Sequence, residues 1–76
     1  MLADDDVRNI YSMTKALEKY QMSVIPAMDG KEAVQLLQSN TVDIILMDIN
    51  MPLLNGFETT RLIRNKNITT PIIALT

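Results

Sequence analysis

The sequence predicts an α/β domain built around a parallel sheet, and three observations lead to this prediction. Stretches with strand-like and helical apolar spacing alternate along the chain in the order β-α-β-α-β-α-β. Residues 44–47 are all apolar, which is typical of a strand covered on both faces in a parallel sheet. The 76 residues are enough for one small domain. Alternating strands and helices favour a parallel sheet with right-handed crossovers.

The first strand and the first helix are separated by an acidic run. The strand is predicted at residues 1–3 and stops at the aspartates of residues 4–6. Acidic side chains suit the positive end of a helix dipole, so a helix is predicted over about residues 7–20. Its inward face is expected to carry the apolar residues that recur with helical spacing, Ile10, Met13, Leu17 and Tyr20.

The second strand is a weaker prediction than its neighbours. It is placed at residues 23–27, and Pro26 within it indicates a sheet edge because proline cannot donate to a strand ladder. Asp29 and Glu32 then have the spacing of a capping box. The helix that they open is predicted to end near residues 39–40, with an inward face of Ala33, Leu36 and Leu37.

The third strand gives the strongest strand signal in the chain. It is predicted at residues 42–47 and runs directly into Asp48. A turn follows, and a third helix is predicted over about residues 57–65. Residues 71–75 predict a fourth strand of the same buried type, which ends on Thr76.

Composition excludes several classes of function. The chain has no cysteine and no histidine, so disulfides, the usual zinc sites, a histidine base and a cysteine nucleophile are all ruled out. A net charge of −2 argues against nucleic-acid binding. The longest apolar run is too short to span a bilayer, and the first residues do not have the pattern of a signal peptide. We therefore expect a cytoplasmic domain without direct membrane contact.

Three predicted strands end in polar side chains. Asp4 and Asp5 follow the first strand, Asp48 follows the third, and Thr76 ends the fourth. Ligands of open parallel sheets bind beyond the carboxyl ends of the strands, so these groups are expected to share a small crevice. Three carboxylates repel one another, and a hard divalent cation with oxygen ligands compensates for this repulsion. Mg²⁺ fits best, held by carboxylates, waters and a substrate phosphate.

A phosphoryl group is the substrate that such a crevice suits. Attack by a carboxylate is opposed by anion–anion repulsion, so positioning and charge neutralisation must supply most of the catalysis. A metal shared by Asp5, Asp48 and the phosphoryl oxygens would supply both, and the Thr76 hydroxyl, at the end of the next strand, is expected to hydrogen-bond a phosphoryl oxygen. The residues alone therefore indicate a magnesium-dependent phosphoryl acceptor with Asp48 as the nucleophile.

The sequence contains four motifs in order: Leu2-Ala3-Asp4-Asp5-Asp6, Leu46-Met47-Asp48-Ile49-Asn50-Met51-Pro52, Asn55-Gly56 and Pro71-Ile72-Ile73-Ala74-Leu75-Thr76. Together they closely resemble the receiver domain of two-component response regulators, and also receivers fused to hybrid sensor histidine kinases. The resemblance runs through all 76 residues in the family's order. It implies a flavodoxin-like (CheY-like) sheet of strand order 2-1-3-4-5, of which this sequence supplies 2-1-3-4.

The resemblance also implies a role for each site residue. Asp48 corresponds to the aspartate that takes a phosphoryl group from a phosphohistidine, on a histidine kinase or a phosphotransfer domain. Asp5 would be a direct Mg²⁺ ligand, and Asp4 an acidic partner acting partly through water. The backbone carbonyl of Asn50 would complete the protein ligands. Thr76 resembles the switch hydroxyl that moves toward the phosphoryl group.

Residues 1–76 are thus expected to form a partial receiver domain, without the family's fourth helix, fifth strand and fifth helix. The lysine that contacts the phosphoryl group in the family has no counterpart here. An ammonium about 4 Å from a phosphoryl oxygen is worth roughly 4 kcal/mol at an effective dielectric of 20, so we expect impaired or absent activity. The open apolar edge of the fourth strand predicts a homo-oligomer, through edge pairing or exchange of elements.

Two other functions are open at this point. The first is a structural or oligomerising fragment without chemistry. It would be indicated if Mg²⁺ does not change the NMR chemical shifts near Asp5 and Asp48. A haloacid-dehalogenase-like phosphohydrolase would use Asp48 and Asn50, and sustained phosphatase turnover would reveal it. Those enzymes place the aspartate motif after their first strand, whereas two strand–helix units are predicted before Asp48 here. The resemblance favours a phosphoacceptor over an enzyme, although a receiver within a hybrid protein is part of a histidine kinase.

Overall fold

The structure is a computed structural model that describes residues 1–75. Its four strands form one parallel sheet in the order β2-β1-β3-β4, which confirms the predicted alternation and strand order. Thr76, expected at the end of the fourth strand, lies outside the described residues. The elements are β1 (Leu2–Ala3), α1 (Val7–Glu18), β2 (Pro26–Ala27), α2 (Gly30–Ser39), β3 (Ile45–Asp48), α3 (Gly56–Asn65) and β4 (Ile72–Leu75).

The register of the sheet brings the carboxyl ends of its strands to one edge. Ala3 pairs with Ala27 on one side and with Met47 on the other. Asp48 pairs with Leu75 at the end of β4. The residues that follow β1 and β3 therefore emerge side by side, because both strands run in the same direction.

The core lies between the sheet and the helices α2 and α3. Ile45 and Met47 of β3 are fully buried there against Ile63 of α3 and the inner face of α2. Burial of each such side chain contributes about 1.5–3 kcal/mol. The two helices approach closely, since a Cβ atom on Gly30 would collide with Thr59 and Leu54. The buried residues of α2 are Gly30, Ala33, Val34 and Leu37, while Leu36 is only half-buried.

The opposite face of the sheet is covered only in part. No residue of α1 is fully buried, and Ile44 beside it is 39% exposed. The prediction that residues 44–47 are covered on both faces is therefore wrong. The reason is that α1 alone packs on this side within residues 1–75, and it leaves an apolar groove of about 560 Å³ toward the amino ends of β1 and β3.

The fourth strand is more exposed than predicted. Ile73 is 48% exposed and Ala74 is exposed as well, so the prediction of a strand buried on both faces is wrong. Ile73 pairs with Leu46, so both side chains lie on the sheet face that α1 covers incompletely. β4 is also an edge strand, paired only with β3 among the strands described.

Several element ends differ from their predicted positions. α1 ends at Glu18 rather than near Tyr20, because Gln21 adopts a positive φ of 63° and Tyr20 points into solvent. The ladder of β2 begins only at the carbonyl of Ile25, which accepts from the N–H of Leu2, so β2 is shorter than residues 23–27. The predicted sheet-edge position of β2 is confirmed.

The third strand also begins later than predicted. Its first paired residue is Ile45, whose N–H donates to the carbonyl of Pro71. The amino group of Met1 donates to the carbonyl of Ile44 at 2.8 Å, but residues 42–44 pair with no strand among residues 1–75. Among residues 1–75, no helix combines the length and the apolar character that crossing a membrane requires.

Candidate functional site

Three carboxylates meet at the edge where β1 and β3 end. Asp4 and Asp5 follow β1, and Asp48 is the last residue of β3. One oxygen from each lies within 4.8 Å of the others. Asp4 is 5% exposed, Asp48 is half-buried and Asp5 is exposed, so the cluster reaches from the interior to the surface.

Local hydrogen bonds fix two of these carboxylates. The N–H of Asp6 donates to Asp4 Oδ1 at 2.9 Å, and the N–H of Asn50 donates to Asp48 Oδ1 at 3.0 Å. The N–H of Asp4 itself extends the ladder by donating to the carbonyl of Ala27 at 3.0 Å. These bonds hold both side chains in place at a charged site without using a basic residue.

Asp6 differs from the two aspartates before it because it caps a helix. Its Oδ1 accepts from the N–H of Arg8 at 2.9 Å, which makes Asp6 the N-cap of α1. This backbone hydrogen bond, with a second one from the Arg8 side chain, lowers the pKa of Asp6 below its ordinary value. The acidic run thus divides into two residues in the cluster and one in the helix cap.

The loop after Asp48 is anchored to the sheet and to α3. The N–H of Ile49 donates to the carbonyl of Leu75, and the N–H of Gly56 donates to the carbonyl of Ile49 at 2.9 Å. Met51 is buried, while Asn50 is exposed. Leu53 has a positive φ of 67° and is 83% exposed. The N–H of the residue after it donates a hydrogen bond to the carbonyl of Pro52, the residue before it.

Gly56 is a positioning residue that sequence reasoning treated only as a turn former. A Cβ atom at this position would lie 2.7 Å from the carbonyl oxygen of Asp48 and 2.8 Å from the Cα of Ile49. The start of α3 therefore packs against the backbone of the candidate acceptor residue. The sequence signal is a glycine in the first turn of a helix, where most other residues would stabilise the helix better.

A cleft of about 460 Å³ opens over Asp4 and Asp48. One of its walls is formed by α1, and Asn50 also contributes to its surface. None of the residues lining this cleft, within the part of the chain that is described, is a lysine or arginine. The residues among 1–75 that line the cleft are Asp4, Asn9, Ser12, Met13, Asp48, Asn50 and Leu75.

The donor set of the cluster fits a hard divalent cation. Three carboxylate oxygens lie within 4.8 Å of one another, and no lysine or arginine lines the adjoining cleft among the residues that the structure describes. Mg²⁺ prefers oxygen ligands and retains several waters, so one or two carboxylates with open access on the solvent side suit it. Asp5, the exposed member, provides that access.

The fold and the site together define a class of protein: a doubly wound parallel α/β domain with an acidic cluster beyond its strand ends. The sequence matches the family model of the response regulator receiver domain over residues 1–76. The chain belongs to the response regulator receiver family, as its motifs predicted.

Individual relatives agree with this assignment. The autoinducer 2 sensor kinase/phosphatase LuxQ of Vibrio harveyi is 43% identical over 77 residues, which cover the whole of this chain and 9% of LuxQ. The Francisella response regulator 1452 receiver domain is 36% identical with a TM-score of 0.91, over 96% of this chain and 60% of that one.

A third relative was solved with ligands. The response regulator TrrA of Thermotoga maritima, in complex with Mg(2+)-BeF, is 29% identical with a TM-score of 0.92, over 99% of this chain and 65% of that one. The chain thus spans a small fraction of LuxQ and about three fifths of the two solved receivers.

Proposed function

We propose that this chain is a phosphoacceptor module of a two-component phosphorelay, with Asp48 as the acceptor. The observation that carries the proposal is the meeting of Asp4, Asp5 and Asp48 at the carboxyl edge of the sheet. Asp48 Oδ1 already accepts from the N–H of Asn50, so Oδ2 is the oxygen left to attack phosphorus. Membership in the receiver family supports this role.

The donor is a phosphohistidine on a histidine kinase or a phosphotransfer domain. As the P–O bond to Asp48 forms, the P–N bond breaks and the imidazole leaves with the bonding electron pair. The attacking carboxylate and the phosphoryl group are both anionic, so the site must hold them together against repulsion. The kinase LuxQ, a relative over the whole of this chain, supports a donor of this class.

Mg²⁺ is the proposed cofactor. Asp4, Asp5, Asp48 and the backbone carbonyl of Asn50 would hold it, and the Thr76 hydroxyl would act as the switch group. When bound, the ion neutralises charge on the phosphoryl oxygens. The complex of the relative TrrA with Mg(2+)-BeF supports this choice of metal.

Phosphorylation of the 76-residue chain is expected to be slow. The four lysines of the chain lie in helices or at their ends, and none lines the cleft. An ammonium about 4 Å from a phosphoryl oxygen would contribute roughly 4 kcal/mol at an effective dielectric of 20, before desolvation. The absence of such an ammonium predicts slower adduct formation than at a site that has one.

The test is incubation of the 76-residue chain with acetyl phosphate and Mg²⁺, followed by mass spectrometry. We expect a single phosphoryl adduct that is lost in Asp48→Asn. Asp43→Asn is the matched control, because Asp43 is an exposed aspartate that borders the groove at the other end of the sheet. A folded chain without an adduct, or an adduct that persists in Asp48→Asn, would contradict the proposal.

The proposal includes an organisation of the molecule. Residues 1–76 form one partial receiver-type unit whose sheet is open at β4. The exposed Ile73 and the apolar groove beside α1 favour association with a second copy, through the β4 edge or by exchange of elements. This association is a separate proposal from phosphorylation at Asp48 and has its own test.

A further inference from the structure

The wall that α1 contributes to the cleft carries two neutral hydrogen-bonding side chains. Asn9, Ser12 and Met13 line the cleft together with Asp4 and Asp48. Positions 9, 12 and 13 lie on one face of the helix, because residues three and four apart are neighbours on its surface. The charged groups that share this space are carboxylates, so Asn9 and Ser12 bring hydrogen-bond donors to an anionic cleft.

The side chain of Asn9 has no part in starting the helix. The hydrogen bond that caps the helix runs from the backbone N–H of Arg8 to the Asp6 carboxylate and does not involve the Asn9 side chain. The amide of Asn40 instead donates to a carbonyl of its own helix, and the side chain of Asn55 caps α3. Within residues 1–75 the exposed carboxamide of Asn9 makes no comparable bond.

We infer that Asn9 is a further catalytic residue of this site, whose Nδ2 donates a hydrogen bond to a phosphoryl oxygen during transfer to Asp48. The inference rests on the proposed function. As the P–O bond to Asp48 forms and the bond to the donor breaks, negative charge is spread over the phosphoryl oxygens. A hydrogen bond to an anionic oxygen is stronger than a neutral one. A neutral amide is also not drawn into an ion pair with the neighbouring carboxylates.

The test compares adduct formation from acetyl phosphate and Mg²⁺ in four forms of the 76-residue chain. In each, the new P–O bond to Asp48 replaces the P–O bond to acetate, which leaves. Asn9→Ala is expected to slow the reaction about ten- to a hundredfold, as the loss of one hydrogen bond to a charged group predicts. Asn9→Asp is expected to be slower still because it adds a negative charge. Asn9→Gln keeps the amide and is expected to react within about threefold of the unmodified chain.

Thermal unfolding separates this role from a structural one. An acidic residue in the first turn of a helix is favourable, so Asn9→Asp is expected to keep or raise stability while it lowers reactivity. Asn65→Ala, at an exposed asparagine at the end of α3, is the matched control. Equal reaction rates in all four forms, or an equal loss of rate in Asn9→Gln and Asn9→Ala, would overturn the role of Asn9 but not the proposed function. An unmodified chain without an adduct at Asp48 would overturn the proposed function and this inference with it.

Discussion

Gly56 controls the position of Asp48 through backbone packing. Because a Cβ atom would meet the carbonyl oxygen of Asp48 at 2.7 Å, Gly56→Ala must displace either the start of α3 or the end of β3. We expect a loss of about 1–3 kcal/mol in the free energy of unfolding, typical of overpacking, although alanine favours helices intrinsically. Urea denaturation followed by circular dichroism measures this loss.

The same substitution is expected to slow phosphorylation beyond its effect on stability. Displacement of Asp48 by a few tenths of an ångström changes its approach to phosphorus, and misplacement of a reacting group costs rate steeply. Phe57→Ala is the control, since this neighbouring side chain is largely exposed. If Gly56→Ala matches the control in both stability and phosphorylation rate, the close approach of Gly56 to the Asp48 backbone does not contribute to function.

Asp48, the proposed acceptor, can be identified from the sequence, whereas the residues that support it cannot. Asp48 stands out because it follows an apolar run and precedes a proline-containing loop. Asn9 gives no such signal, since an asparagine in a helix is common and only the fold places it beside the cleft. The packing of Gly56 on Asp48 also depends on the approach of two elements, which no local pattern encodes.

At the scale of elements, the helix ends are fixed by side chains that turn back on the backbone. Asn55 and Glu58 form a full capping box at the start of α3. At its other end, the guanidinium of Arg64 donates to the carbonyls of Ile68 and Thr70 and so connects α3 to the turn that leads into β4. The capping box predicted at the start of α2 differs from the standard form, because the Glu32 side chain accepts from the N–H of Met28 and not from that of the N-cap residue.

The cap of α1 makes this helix sensitive to acid. Hydrogen bonds from Arg8 lower the pKa of Asp6 in the folded chain below its ordinary value of 3.8. The folded state therefore binds protons less readily than the unfolded state. The resulting stabilisation is complete above the unfolded pKa and is lost as the pH falls through the lower folded pKa.

The amide resonance of Arg8 reports this titration directly, because its N–H donates to Asp6. We expect the chemical shift to change with a midpoint below 3.8. Asp6→Ser retains a capping oxygen without a titrating group, so its Arg8 amide should stay nearly constant over the same pH range. A midpoint at or above the ordinary value in the unmodified chain would rule out the capping hydrogen bond as the cause.

At the scale of the whole molecule, pattern and burial were predictable to different degrees. The alternation of strand and helix signals was sufficient to predict a parallel sheet, and the resemblance of the motifs to the receiver family implied the strand order that the structure confirms. The apolar run before Asp48 did not reveal that Ile44 and Leu46 face an incomplete layer. Apolar composition shows which residues benefit from burial, but the number of helices available to cover a face is a property of the assembled chain. The exposure of Ile73 has the same origin.

That exposed face is expected to make the 76-residue chain self-associate. Among residues 1–75, β4 pairs with β3 alone and its other backbone edge is unpaired, and Ile73 adds apolar surface beside the half-buried Leu46. Such an edge pairs readily with another chain, and a charged side chain on it opposes pairing. We expect sedimentation velocity to show dimers or larger species at micromolar concentration, with binding of a hydrophobic dye.

Ile73→Lys is expected to raise the dissociation constant of this association about tenfold, which corresponds to about 1.4 kcal/mol. This energy is a fraction of the burial energy of one isoleucine side chain. Leu53→Lys is the matched control, because Leu53 is more exposed but lies in the loop after Asp48, away from the β4 edge. A shift toward monomer in Ile73→Lys alone would locate the contact at β4. An unmodified chain that stays monomeric and does not bind the dye would show that α1 and the existing sheet contacts already satisfy this face.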